Sequence, residues 1–178
     1  MPHDGMGTHQ SSAMDSDEWL TPPDIIDRLG PFDLDPCAAP EPRPWPTATR
    51  HVVREENGLM MPWTGRVWLN PPYGGPAIVG PWMRRMASHA NGIALIFART
   101  ETGLFFETVW RRASGVLFIK GRLFFHRPNG LKAEANAGAP SCLIAYGDLN
   151  ASLLYHSGIA GHYVTLTPAV RAAEPAMI

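Results

Sequence analysis

The spacing of apolar positions along the chain changes several times, and each change predicts an element. Ile25, Ile26 and Leu29 recur at helical spacing behind Thr21-Pro22-Pro23. This predicts a short helix with Thr21 as N-cap, both prolines in the first turn and Gly30 as its stop. Phe32-Asp33-Leu34-Asp35 reads as a strand ended by Pro36. Five prolines between residues 36 and 50 predict an irregular loop before a second short strand at 51–53. Gly65 to Leu69 is β-branched and aromatic and breaks at Asn70-Pro71-Pro72. A helix is expected from about Pro81. Gly92 to Phe97 is almost wholly apolar, as a strand buried on both faces would be. A helix from Gly103 to Arg112 and a strand at 116–119 follow, with continued β character at 122–125 and a polar loop at 126–140. Residues 141–146 are the last clear strand, with one more at 163–166; no helix is evident between them. Strands alternating with helices predict an α/β fold with a mainly parallel sheet. The direct join between the strands at 116–119 and 141–146 predicts an antiparallel edge strand.

Composition narrows this picture. The chain has 178 residues, 45% hydrophobic and 17% charged, which suits one globular domain. Residues 1–16 are polar and aperiodic and read as a disordered N-terminal tail, leaving 17–178 as a single domain. No apolar run is long enough to span a bilayer, and the N-terminus has no signal-peptide pattern. Cys37 and Cys142 stand far apart, too little for a zinc site or a disulfide framework, so a reduced cytoplasmic setting and no metal are expected. The net charge is −1, unlike the basic balance common in nucleic-acid-binding proteins. Charge is nonetheless uneven: from Arg84 to Lys132 there are nine Lys or Arg against only Glu101 and Glu107.

The densest chemical signal is Asn70-Pro71-Pro72-Tyr73 at the carboxyl end of a strand, where open α/β sheets bind ligands. Pro71 and Pro72 lack N–H donors and so present carbonyl acceptors, Asn70 adds a side-chain acceptor and Tyr73 an aromatic face. Such a loop suits an exocyclic amine on a flat ring taken out of its duplex. A proline-rich turn with Tyr73 packed for stability is the competing reading. No GxGxxG loop is present. Glu55 and Glu56 read as solvated loop acids.

Asn70-Pro71-Pro72-Tyr73 matches the NPPY form of the catalytic motif of amino-methyltransferases. With Asp17-Glu18-Trp19-Leu20-Thr21-Pro22, Phe32 to Ala38, Asn57-Gly58-Leu59 and Gly121-Arg122-Leu123-Phe124-Phe125, the pattern resembles the phage-type, Dam-like DNA N-6-adenine methyltransferases. The resemblance spans about residues 17–147 and implies a Rossmann-like S-adenosylmethionine-dependent methyltransferase fold. It also implies DNA as substrate, with Asn70, Pro71, Pro72 and Tyr73 catalytic. Thr21, Pro22, Asp35, Pro36, Cys37, Ala38 and Asn57 are implied as the S-adenosylmethionine site. Amide N–H groups after Pro36 could receive a carboxylate and Asp35 an ammonium. Asn57 stands where the family pattern usually has an acid. Cys37 reads as a small filler rather than a nucleophile. Arg99, Arg122 and Arg127 are candidates for DNA phosphates, and the loops 36–50 and 126–140 for reading sequence. Localisation in a bacterial host cell, with phage or prophage origin, follows from the resemblance. An NPPY methyltransferase of RNA, cytosine or protein glutamine is the alternative enzyme, and a non-catalytic nucleic-acid-binding scaffold the alternative outside enzymes.

Overall fold

A computed structural model describes residues 19–167. The expected tail at 1–16, together with Asp17 and Glu18, lies outside the described residues. Helix α1 (Pro23–Leu29) leads into β1 (Leu34–Asp35), β2 (Arg50–His51) and a 3₁₀ turn (Arg54–Glu56). Then come β3 (Val67–Leu69), α2 (Pro76–His89) and β4 (Gly92–Phe97). A short α3 (Gly103–Phe105) runs into a π-helical turn (Phe106–Trp110), followed by β5 (Gly115–Ile119), β6 (Ser141–Tyr146), α4 (Asp148–His156) and β7 (Gly161–Thr165).

One sheet orders its strands β2-β1-β3-β4-β6-β5-β7. From β2 to β4 all neighbours are parallel, and from β4 to β7 all are antiparallel. The sheet is therefore mixed. β6 (141–146) is antiparallel as expected, but it lies inside the sheet between β4 and β5 rather than at its edge, and the antiparallel edge strand is β7. β5 still points the same way as β1 to β4, because two reversals separate it from β4. The carboxyl ends of β1, β3, β4 and β5 thus share one edge of the sheet.

Period-2 alternation sorts the side chains onto two cores. Leu34, Leu69, Ile96, Val116 and Ile144 face Met83 and Met86 of α2 and Val109 of the π-helical turn. Trp68, Ile93, Leu95, Leu117 and Leu143 face Ile25, Ile26 and Leu29 of α1 and Leu154 of α4. At about 25 cal/mol per Å² of apolar surface buried, these two layers supply the main driving force for folding.

Four expectations are corrected. Helix α2 begins at Pro76, not near Pro81: Pro76 sits at the first helical position after Gly75, and Pro81 is accommodated inside the helix. The N-cap of α1 is Pro22, with no side-chain capping bond, so Thr21 is not the cap. Residues 122–125 form no strand; Leu123 and Phe125 instead accept bonds from Ala137 and Ala133, making an arm beside the sheet. Helix α4 is the element missing from the pattern. Its large apolar residues Leu149, Leu153 and Tyr155 are exposed, while Asn150 and Leu154 are fully buried, so its pattern is inverted.

Asn150 explains why α4 docks. Its carbonyl accepts from Arg66 Nε at 2.6 Å, and its amide donates to Tyr146 O at 2.7 Å and to Asn91 Oδ1 at 3.0 Å. Arg66, half-buried, also lies 4.3 Å over the Phe32 ring. Asn150→Leu removes every one of these partners at once. It is expected to destabilise the chain by about 1–3 kcal/mol in urea melts, because the half-buried Arg66 loses one of its acceptors and the Tyr146 carbonyl and Asn91 side chain lose a donor. A change below about 0.5 kcal/mol would show the network to be ornamental.

Candidate active site

β3 ends where it does because Pro71 and Pro72 cannot donate to a ladder. The next alternating position after Trp68, Asn70, lies on the α1 side of the sheet. Its Nδ2 donates to the Trp19 carbonyl at 3.0 Å. Its Oδ1 is buried and has no partner among the described residues. The bond from one of the two Nδ2 hydrogens orients the amide and leaves Oδ1 as an unpartnered acceptor. Pro71 is buried and Pro72 exposed. The Tyr73 ring lies 4.6 Å from Phe97, tilted by 43°, and 5.6 Å edge-on from Phe125. Its hydroxyl is buried without a partner, and burial raises its pKa.

Trp19 is held by its neighbours. Leu20 and His126 exchange two backbone bonds of 2.9 Å, tying the segment before α1 to the arm after β5. Thr21 is 2% exposed, with its hydroxyl unpartnered, and its carbonyl accepts from Trp45 Nε1 at 3.2 Å. Pro22, also buried, accepts from Ile25 N at 3.1 Å. Trp45 meets the His126 ring edge-on at 5.2 Å, and Gly130 leaves room for Pro44 and Trp45. The loops 36–50 and 126–140 therefore touch and wall one side of the site.

Asp35, at the end of β1, is 4% exposed. One carboxylate oxygen accepts from Cys37 N at 2.9 Å and the other from the Thr47 hydroxyl. His51 holds Thr47 in place by accepting from its N–H at 3.1 Å. Burial raises the Asp35 pKa to about 6, against the opposing effects of Thr47, Cys37 N–H and Arg43. The expectation of free amides after Pro36 is corrected: Cys37 N–H is spent on Asp35 and Ala38 N–H on Val52 O. Burial also raises the Cys37 thiol pKa, in keeping with a packing role.

Asn57 adopts a left-handed conformation (φ 53°) and is exposed. Its neighbour Gly58 is buried, and a Cβ there would stand 2.0 Å from the Pro36 carbonyl oxygen. Only glycine lets this turn press against the Asp35-Pro36-Cys37 loop, which brings the two segments together. Glu55 is exposed; Glu56 is exposed and accepts from Val53 N at 3.0 Å.

Six buried polar side-chain atoms among the described residues lack partners: Thr21 Oγ1, Asn70 Oδ1, Tyr73 Oη, His126 Nδ1, Ser141 Oγ and Arg66 Nη2. The first five belong to one connected neighbourhood. Trp19, Leu20, Trp45, Phe97 and Phe125 link them, and Ser141 pairs directly with Phe97 across β4 and β6. Unpartnered buried groups are costly and uncommon, so their concentration at the carboxyl edge marks a place built for a polar ligand.

Arg99 is exposed just beyond β4; its backbone bonds to Phe97 and Thr102, and its side chain has no hydrogen bond or ion pair among the described residues. Arg122 is exposed but donates to Ala137 O at 3.0 Å, bracing the arm, and Arg127 lies 3.7 Å from Glu134. The motifs revealed nothing of the Trp19 carbonyl, Thr47, His126 or Ser141. A backbone acceptor has no residue signature, and the other three acquire meaning only through non-local contacts. No three His, Cys, Asp or Glu side chains among the described residues form a metal-holding group. No helix among them is long and apolar enough to cross a membrane.

Residues 8–156 match the family model described as DNA N-6-adenine-methyltransferase (Dam). A curated relative, the DNA N-6-adenine-methyltransferase of Escherichia phage T1, is 27% identical over 124 residues, covering 66% of this chain and 50% of that protein. The chain thus spans about half the length of this relative. No solved structure matches.

The Asp35 carboxyl yields a prediction independent of any ligand. Its folded pKa of about 6 exceeds the ordinary value of 3.8, so between these values the folded chain binds more protons than the unfolded chain. The cost of burying its charge is absent below about pH 4, grows as pH rises through about 6 and is constant above. Asp35→Asn should therefore gain stability relative to the parent between pH 4 and 7, by up to about 3 kcal/mol in urea melts. A difference that does not change with pH would refute this reading of Asp35.

Proposed function

The chain belongs to the DNA N-6-adenine-methyltransferase (Dam) family, and from that premise we propose that it methylates the 6-amino group of adenine in DNA, with S-adenosylmethionine as donor. The oriented Asn70 amide carries this reading. With one Nδ2 hydrogen held by Trp19 O the amide is oriented, and its unpartnered Oδ1 is an acceptor that suits an –NH2 group. In this proposal Asn70 Oδ1 and a carbonyl of the Pro71-Pro72 pair accept the two amine hydrogens. They hold the nitrogen and leave its lone pair free to attack. The base stacks on the side of Tyr73 that Phe97 does not cover. Catalysis is then mainly positioning and hydrogen bonding, with no nucleophilic side chain required.

Residues at the mouth of β1 fit the donor. Thr21 offers an unpartnered buried hydroxyl and Asp35 a buried carboxylate, a pair suited to an amino-acid end with its ammonium. Pro22 and the turn Pro36-Cys37-Ala38 are read as shaping that pocket, and Asn57, next to the Gly58 that packs on Pro36, as meeting the adenine edge of the donor. When bound, S-adenosylmethionine supplies a methyl group whose C–S bond breaks as the N6 lone pair takes it, one N6 proton leaving to solvent. The mixed sheet is accordingly read as a Rossmann-like methyltransferase fold. Arg99, Arg122 and Arg127, on the same edge, are read as phosphate contacts. The phage relative favours a phage- or prophage-encoded enzyme of the bacterial cytoplasm.

Incubation with radiolabelled S-adenosylmethionine and unmethylated duplex DNA, followed by nucleoside digestion and mass spectrometry, should yield 6-methyladenine. Methylcytosine, or no label in DNA despite cofactor binding by calorimetry, would overturn the substrate assignment. Asn70→Ala should lower kcat by about 10²–10³-fold with the melting temperature retained, as for loss of an oriented polar group at the reacting centre. Wild-type-like turnover in that variant would sink the mechanism. Affinity for S-adenosylmethionine should strengthen as pH rises from 5 to 7, because the ammonium needs Asp35 ionised and the free carboxyl titrates near 6. A flat calorimetric profile over that range would remove Asp35 from the site.

A further inference from the structure

A cleft of about 460 Å³ opens between the start of α1, the end of β5 and the arm that follows it. Lys120, Arg122, Phe124, His126 and Lys132 line it, and Asp24 is the one acid in its wall. The chain as a whole carries a net charge of −1, so this clustering of cations departs from the average surface. Lys120 and Lys132 form no ion pair with any acid among the described residues. Phe124 is 36% exposed, and the Lys132 ammonium lies 4.6 Å over its ring, which holds that cation at the cleft.

Position gives the cleft its meaning. β5 points the same way as β3, so Lys120, one residue past its end, and Asn70, one residue past β3, lie at the same edge of the sheet. His126 belongs to both places: it lines the cleft, and its backbone pins Leu20 beside Trp19 and Asn70. A strand that delivers a base to Asn70 and runs along this edge brings its flanking phosphates to these cations.

We propose that this basic, aromatic-backed cleft is the track for the phosphodiester backbone of duplex DNA flanking the methylated base, with Lys120 and Lys132 as its principal phosphate contacts. The inference rests on the proposed DNA substrate and adds residues outside the methyltransferase motifs. Fixed cations beside the reacting loop set the register of the duplex without reading its sequence. Arg122, with one guanidinium nitrogen committed to Ala137 O, contributes charge as part of the wall.

The test is equilibrium binding of a 20-base-pair DNA duplex by the full chain across a salt series, without methyl donor. Lys120→Gln combined with Lys132→Gln should weaken binding by on the order of tenfold at low salt. It should also make the slope of log K against log salt shallower by about 1.8, two phosphate contacts at about 0.9 each. In turnover assays the loss should fall on KM for DNA more than on kcat. Arg112→Gln, an exposed cation before the opposite end of β5, should leave affinity and slope unchanged. An unchanged salt slope in the double variant, an equal effect from Arg112→Gln, or a loss confined to an RNA duplex of the same sequence would each overturn the cleft. Absence of 6-methyladenine with the parent chain is a separate result: it removes the proposed activity, whereas the binding series reports on the cleft alone.

Discussion

Two backbone hydrogen bonds between Leu20 and His126 carry the architecture of the site. They are the link by which the segment before α1 is joined to the arm that follows β5, more than a hundred residues later in the sequence. With Leu20 fixed, the Trp19 carbonyl stands where it can take the Asn70 amide hydrogen, and the Thr21 hydroxyl is buried beside it. On the other side the same bridge fixes the arm that carries Phe125 against Tyr73 and Phe124 against Lys132. One short pairing therefore sets the Asn70–Tyr73 loop, the buried Thr21 hydroxyl and the basic cleft in a common frame.

That frame tolerates polar groups a stable core would exclude. Each buried, unpartnered donor or acceptor costs about 1–3 kcal/mol, and the carboxyl edge holds five such atoms. The charge on Asp35 adds to the burden, as its raised pKa shows. The two hydrophobic layers on the faces of the sheet offset these costs, with β4 and β6 contributing side chains to both. Stability resides in the middle of the sheet and unsatisfied polarity at its edge, as expected where the interior supports a preorganised site.

Much of this organisation is legible in local pattern. The buried run at 92–97, the strand at 67–69 halted by two prolines, and the proline-rich loop all appear in the fold, because each depends on neighbours within a few residues. Helix α4 was hidden because its buried face is an asparagine and a leucine while larger apolar residues face outward. The start of α2 was obscured because Pro81 reads as a helix opener although Pro76 already fills that role. Thr21 shows the same limit at the level of chemistry. Its sequence context is that of a cap, yet its hydroxyl caps nothing and is left for another partner.

The sequence by itself determined the alternation of strands and helices, the NPPY loop at a strand end and the segments that accompany it in the family. These are properties of short windows, where backbone stereochemistry and side-chain periodicity decide the outcome. Tertiary structure alone decided that β6 enters the sheet between β4 and β5, that the Asn70 amide is held by the Trp19 carbonyl with its acceptor left unpartnered, that the amides after Pro36 are already spent, and that Lys120, Phe124 and Lys132 share one cleft. The physical reason is that hydrogen-bond direction and charge proximity are relations between groups far apart in the chain. No window of sequence contains both partners until the sheet has brought them to one edge.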